Sequence, residues 1–254
     1  MTSLEVMPLQ GLPLIKAGDD LVQLIAAALA RDGVTPHAGD IVVLAQKIVS
    51  KAEGRVVDLA TVNPSARAIA LAAEVDKDPR LVELILSESV RVVRARRGVL
   101  IVEHRLGFIM ANAGVDQSNV APAEGAELAL LLPENPDRSA EELRLGLAAA
   151  TGADVAVIIN DSFGRPWRQG AAGVAIGVAG LPALLDLRGK RDLFGRRLEV
   201  TVVGFADEIA AAASLVMGQA DEGLPIVLVR GLRWSAAASK ASGIVRPANE
   251  DLFR

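Results

Sequence analysis

A chain of 254 residues that is 51% hydrophobic and carries a net charge of −4 has apolar material for one large domain or two smaller ones, and is not a disordered protein. Its basic residues are scattered, which leaves no electrostatic footprint for nucleic acid. With no cysteine and only His37 and His104 as imidazoles, disulfides, thiolate metal sites and a cysteine nucleophile are excluded, and any metal is expected to be a hard ion such as Mg²⁺ or Mn²⁺ on oxygen ligands.

Met1 to Gln10 lacks a basic segment followed by an apolar one, and no apolar run reaches membrane-spanning length, so a cytoplasmic location and no membrane partner are expected. Leu4 to Leu9 reads as a strand that Pro8 ends or places at an edge. A loop from Gly11 runs into a helix capped by Asp19 or Asp20, with Leu21, Leu24, Ile25, Ala28 and Leu29 on one face and Gly33 as its stop. Ile41 to Ala45 is a strand running directly into Gln46-Lys47-Ile48-Val49-Ser50-Lys51-Ala52-Glu53-Gly54-Arg55. On a helix, Lys47, Lys51 and Arg55 share one side, either as a solvated face or as a receiver of phosphates.

Helices are expected from Ser65 to Val75 and from Pro79 to Ser89, then strands over Val90–Ala95, Val99–His104 and Gly107–Ala111. This predicts a β-rich arm or subdomain over about residues 90–132. It contains Asp116 and Asn119, which are either a polar hairpin end or oxygen donors for a hard cation. Leu128 to Leu132 reads as a further strand. Ser139 with Glu142 has capping-box spacing for a helix to about Ala150.

Val155 to Ile159 is a short apolar run suited to a strand buried on both faces, and at Asn160 the chain turns polar. Asp161-Ser162-Phe163-Gly164-Arg165-Pro166-Trp167-Arg168-Gln169-Gly170 is then a site at the carboxyl end of a strand or ordinary turn chemistry. Gly170, Gly173, Gly177 and Gly180 space a small-residue segment that lets backbone approach a ligand or another chain, or simply packs. Leu198–Val203 reads as a strand and Phe205–Met217 as a helix whose Asp207 and Glu208 suit its dipole. A glycine-bounded acidic loop, Gly218 to Gly223, precedes the strand Pro225–Val229, and after Trp234 the chain reads as a loosely held tail, residues 235–254. No phosphate loop or dinucleotide fingerprint is present.

Blocks in one order carry a resemblance: Gly11-Leu12-Pro13-Leu14-Ile15, Ile48 to Arg55, Ala113 to Val120, Asn160 to Arg165, Ala206 to Ala210 and Val229-Arg230-Gly231. Together they resemble the coenzyme F420-0:L-glutamate ligases, or F420-0:γ-glutamyl ligases, from about Leu4 to Leu232. The resemblance implies a two-part α/β (α+β) mixed-sheet fold, neither P-loop nor Rossmann, occupying residues 1–234 as one ligase domain and forming intertwined homodimers. It implies GTP as co-substrate, F420-0 and L-glutamate as substrates, Mg²⁺ or Mn²⁺, and in some members K⁺. By motif, Leu12, Pro13, Leu14, Ile15, Gln46, Lys47, Lys51, Asn119 and the loop Val216, Met217, Gly218, Gln219, Ala220, Asp221, Glu222, Gly223 would contact the nucleotide. Asp116 and Asp161 would carry the metal-assisted catalysis, with Ser162 and Gln219 as further metal ligands. Gln46-Lys47 stands where some relatives have Ser-Thr, Gln219 where they have an acid, and Ser162 replaces a frequent Thr. The route implied is γ-phosphoryl transfer to a carboxylate, then attack of the glutamate amine on the acyl phosphate, with no protein nucleophile. An amide ligase for another carboxylate acceptor and a non-catalytic nucleotide-binding homologue are the alternatives.

Overall fold

The computed structural model describes residues 3–120 and 126–252. Residues 121–125, within the stretch expected to form the β-rich arm, and 253–254, at the end of the expected tail, lie outside the described residues.

In chain order the elements are β1 (Glu5–Pro8), α1 (Leu21–Arg31), β2 (Ile41–Ala45), α2 (Gln46–Ala52), β3 (Val56–Asp58), α3 (Ala66–Val75), α4 (Pro79–Ser87), β4 (Ser89–Arg96), β5 (Val99–His104) and β6 (Ile109–Ala111). They continue with β7 (Leu128–Leu130), α5 (Pro136–Thr151), β8 (Ala156–Arg165), β9 (Arg168–Ala179), β10 (Leu185–Asp186), β11 (Val202–Val203), α6 (Phe205–Met217) and β12 (Ile226–Arg230). Among the described residues no helix is long and apolar enough to cross a membrane.

The main sheet has the order β1-β12-β2-β8-β9 and is mixed, with β2 and β8 parallel and the other neighbours antiparallel. Its central strands are apolar on both faces because both are covered. Val42, Leu44, Val157, Ile159, Ile226 and Leu228 point into one cluster with α1 and α5. Their neighbours Ile41, Val43, Ile158, Val227 and Val229 point into a second cluster against α6. The alternation follows from the two-residue period of a strand and makes a three-layer α/β/α body.

A third cluster joins α3 and α4 to β5 and β7 through Ala68, Ala72, Val75, Val82, Ile85, Leu100, Val102 and Ala129. The apolar side of the sheet β4-β5-β6 is filled by the two helices that precede it. A buried polar knot ties this part down. Glu88 accepts from Arg105 Nε at 3.0 Å, lies 3.0 Å from Arg55 and 3.5 Å from His104, and Arg55 also donates to the Leu132 carbonyl. Burial alone would raise the Glu88 carboxyl, but His104, Arg105 and Arg55 outweigh it and hold it down to about 2.

Three expectations are corrected, and one left open is decided. The helix expected from a Ser139 cap begins earlier: Asn135 accepts from Arg138 N and Pro136 takes the first position, which leaves Ser139 inside the helix, donating to Glu53. Leu198–Val203 forms a strand only at Val202–Val203, because β10 offers two residues of partner and Val200 faces solvent. Of the two readings of the glycine-spaced segment, Gly173 and Gly177 take the packing one, as a Cβ on Gly173 would meet the Ala210 carbonyl and Ser214, and one on Gly177 the Pro136 carbonyl. The chain after Trp234 is pinned rather than loose: Asp137 accepts from Ala241 N and Ser242 N, and Ser239 bonds Leu181 and Ala183.

Because a Cβ at position 177 would lie 2.3 Å from the Pro136 oxygen, Gly177→Ala is expected to cost about 1–3 kcal/mol through overpacking. A urea midpoint equal to that of the unsubstituted protein would refute this contact between β9 and α5.

Candidate active site

The parallel pair β2 and β8 ends with Ala45 opposite Asn160. From that point β2 passes straight into α2, with Ala45 as its N-cap, so Lys47 and Lys51 stand at the carboxyl edge of the sheet. β8 does not end there. It continues through Arg165 and pairs with β9 in a two-stranded ribbon, so the polar block is strand rather than the expected loop or turn. The register fixes its faces. Asp161 and Phe163 share the face of Ile159, whereas Asn160 faces α6, where its amide donates to Ser214 Oγ at 2.9 Å. Ser162 alternates to the Asn160 side.

The loop after β6 supplies the second carboxylate. Ala113 takes a positive φ of 53° in the short turn Asn112–Gly114, and Asp116 then bridges to Leu130 of β7 through paired backbone hydrogen bonds. Asp116 Oδ2 lies 2.6 Å from Lys47 Nζ. Ser118 closes a triangle: its hydroxyl is 2.6 Å from Lys47 Nζ and donates to Asp116 Oδ2 at 2.8 Å. Lys51 donates to the Asn119 carbonyl at 2.7 Å, and the Asn119 amide reaches the Ala220 carbonyl at 3.3 Å. Three segments far apart in sequence therefore meet at one sheet edge.

The two acids differ in state. Burial would raise Asp116, but Lys47 and the Ser118 contacts outweigh it and keep the carboxyl below its ordinary range. Among the described residues Asp161 accepts only from Ser162 N, has no cation in contact, and is hemmed in by protein atoms. Desolvation, with a further push from Asp116, raises it to about 6 against a weaker pull from Lys47. Lys51 is lowered by burial and by Lys47. A desolvated carboxylate beside a second carboxylate is a place where a cation relieves both penalties. Hard oxygen donors therefore fit Mg²⁺ or Mn²⁺. Among the described residues no three acids, histidines or cysteines converge, so remaining ligands would be neutral oxygens, water or substrate phosphates.

Other expected residues fall into place less uniformly. Leu12 and Ile15 pack on the first core cluster and Leu14 is exposed, with the segment tied to α2 by Gly18 N to the Ala52 carbonyl. Pro13 lies between them on the surface. Gln46 is buried and accepts from Ser50 Oγ at 2.8 Å. Arg55 is drawn away from the lysines to Glu88. Val216 and Met217 belong to the α6 core side, while Gln219, Asp221 and Gly223 are exposed. Glu222 folds back to accept from Ala220 N, beneath Gly218. Ser118, which couples Lys47 to Asp116, carried no role in the sequence; its only signal was its place two residues after the acid.

The fold and site define an α/β protein that gathers two lysines and two carboxylates at one sheet edge, without a phosphate loop. Its sequence matches the model of the F420-0:gamma-glutamyl ligase family over residues 11–231. It is 49% identical to the coenzyme F420:L-glutamate ligase of Methanothermobacter thermautotrophicus, over 99% of both chains. It is 45% identical to that of Methanopyrus kandleri over the full length of both, and 44% identical to that of Archaeoglobus fulgidus over 98% of this chain and 96% of the relative. The chain belongs to the F420-0:γ-glutamyl ligase family.

A carboxyl whose pKa is raised on folding stabilises the fold only while protonated, and that contribution is lost as pH rises from its unfolded value through about 6. Asp161→Asn is therefore expected to raise the Tm at neutral and higher pH, with the gain vanishing near about pH 4, while weakening Mn²⁺ binding by roughly 10-fold or more. A variant less stable than the parent at neutral pH, or one binding Mn²⁺ equally well, would overturn this account of Asp161.

Proposed function

We propose that the protein is a GTP-dependent ligase that adds L-glutamate to coenzyme F420-0 with Mg²⁺ or Mn²⁺, working in the cytoplasm as a homodimer. The observation that carries the reading is full-length identity of 44–49% to enzymes bearing the ligase name, combined with a site that keeps both acids and both lysines at one sheet edge.

A carboxylate is a poor acyl donor, so the acceptor's carboxyl first takes the γ-phosphoryl of GTP, and the amine of glutamate then displaces phosphate from the acyl phosphate. A divalent ion held by Asp116 and Asp161, with Gln219 and Ser162 as supplementary oxygens, would supply charge neutralisation at the phosphates. Lys47 and Lys51 hold the phosphate oxygens as mobile point charges. The Asn119–Ala220 bond brings the acidic loop beside the Gly218–Gly223 loop, so both border the nucleotide. His104 takes no part, being sealed inside the protein against Glu88. The homodimer is supported by Leu193 and Phe194, which are almost fully exposed in the segment between β10 and β11.

Turnover with F420-0, glutamate, GTP and Mn²⁺, read by mass, is expected to yield glutamyl adducts and matching GDP. GTP hydrolysis coupled to a different acceptor alone would replace F420-0 in this reading. Lys51→Ala should weaken GTP affinity by about 10-fold with little change in Tm, and equal affinity in a calorimetric titration would remove Lys51 from the nucleotide site. Light scattering is expected to give a dimer that Leu193→Ser with Phe194→Ser dissociates; a monomeric parent protein would end the dimer reading.

A further inference from the structure

A cavity of about 200 Å³ opens against the ribbon β8–β9, on the face that carries Phe163 and Ile176. Leu106, Phe108, Pro136 and Ile176 form its apolar wall, and Asn135, Asp137, Lys240 and Ser242 its polar rim. Phe108 packs edge-on against Phe163, with ring centres 5.8 Å apart, and Phe163 lies two residues beyond Asp161 on the same face of β8. Cavity and acid therefore border one aromatic pair.

The rim is built rather than incidental. Asp137 fixes it by accepting from Val178 N at 3.0 Å, Ala241 N at 2.8 Å and Ser242 N at 3.1 Å, which clamps the C-terminal segment onto β9 and α5. The residue delivered beside this clamp is Lys240, and among the described residues no carboxylate pairs with its ammonium. Lys240 and Ser242 lie beyond residues 11–231, the span matched by the family model.

Resting on the ligase reading above, we propose that this cavity is the subsite for the amino-acid co-substrate, with Lys240 taking one of its carboxylates. The size favours glutamate over the acceptor, since the cavity is below the roughly 300–1,000 Å³ of pockets that hold drug-sized ligands. An apolar wall suits the methylenes of the side chain, and with the Asp137 oxygens turned to three backbone amides, the Lys240 ammonium is the charge on the rim left to take a carboxylate. Glutamate anchored there sits on the same face of the ribbon as Asp161, where its amine must meet the activated carboxyl.

The test compares the parent protein with Lys240→Ala and Lys240→Arg. Lys240→Ala is expected to raise the KM for glutamate by about 10-fold or more, to leave the KM values for GTP and F420-0 unchanged, and to keep the Tm, because the side chain is exposed; Lys240→Arg should restore most of the loss. Glutamate binding is also titrated directly, with Mg²⁺ and a non-hydrolysable GTP analogue present, and should weaken in parallel. An effect on the KM for F420-0 alone would give the cavity to the acceptor and overturn the proposal, as would unchanged glutamate binding in Lys240→Ala or no glutamate binding by the parent protein. Failure of the parent protein to glutamylate F420-0 strikes the ligase reading instead, since the titration judges the cavity independently of turnover.

Discussion

The pairing of β2 with β8 is parallel and dry on both faces, and the placement of every polar group in the site follows from it. Parallel strands run in one direction, so the chain leaves both at the same edge: from Ala45 into α2 with its lysines, and from Asn160 onward along β8 with Asp161. β12 runs antiparallel to β2, so the loop preceding Ile226 arrives at that edge as well. The first core cluster then holds Phe108, Met110 and Leu132 against the same face, which carries the Asp116 loop across to Lys47. The site is thus a consequence of strand direction, of which face each residue takes, and of the loop after β6 that this packing carries to the same edge.

Within that frame the charges are arranged so that the resting state is neutral but only partly satisfied. Lys47 and Asp116 neutralise each other at 2.6 Å, yet both remain partly exposed, so the pair contributes little to stability. Asp161 is left without a cation and is raised accordingly. Under the proposed reading, Lys47 would be released to hold phosphate and Asp116 with Asp161 would hold the divalent ion, which would supply charge neutralisation there. One opposite-charge contact is replaced by several, and the desolvation cost already borne by Asp161 is offset at the same moment. Binding nucleotide and metal as one unit is the low-cost route, because either alone leaves an unpaired charge beside Asp161.

Much of this was legible in the residues. The apolar stripe and Asp20 cap of α1, the abrupt change at Ala45, and the turn to polar residues at Asn160 all correspond to real boundaries of element or environment. The continuation of β8 was hidden because only Asp161 to Phe163 are partly covered and Gly164 and Arg165 are exposed, too short a stretch to impose an apolar period, and its glycines imitate a loop. The Ser139 signature misled because Asn135 and Pro136, also good starters, came first in the chain. The fate of Arg55 could not be read from its spacing to the lysines, since Glu88 is a partner supplied by tertiary folding alone. The same is true of the C-terminal segment, where three backbone amides converge on a side chain more than a hundred residues from two of them.

That last contact shows how a half-buried acid is used in two ways in one protein. Asp137 is fully occupied by backbone donors, so its charge is spent on holding β9 and residues 241–242 together. Asp161 has a single such donor, so its charge remains available to a ligand. A carboxylate saturated by fixed amides is a structural clamp, and one left short of donors at the edge of a sheet is a binding group. The number of amides that face each acid, rather than its burial, decides which role it takes.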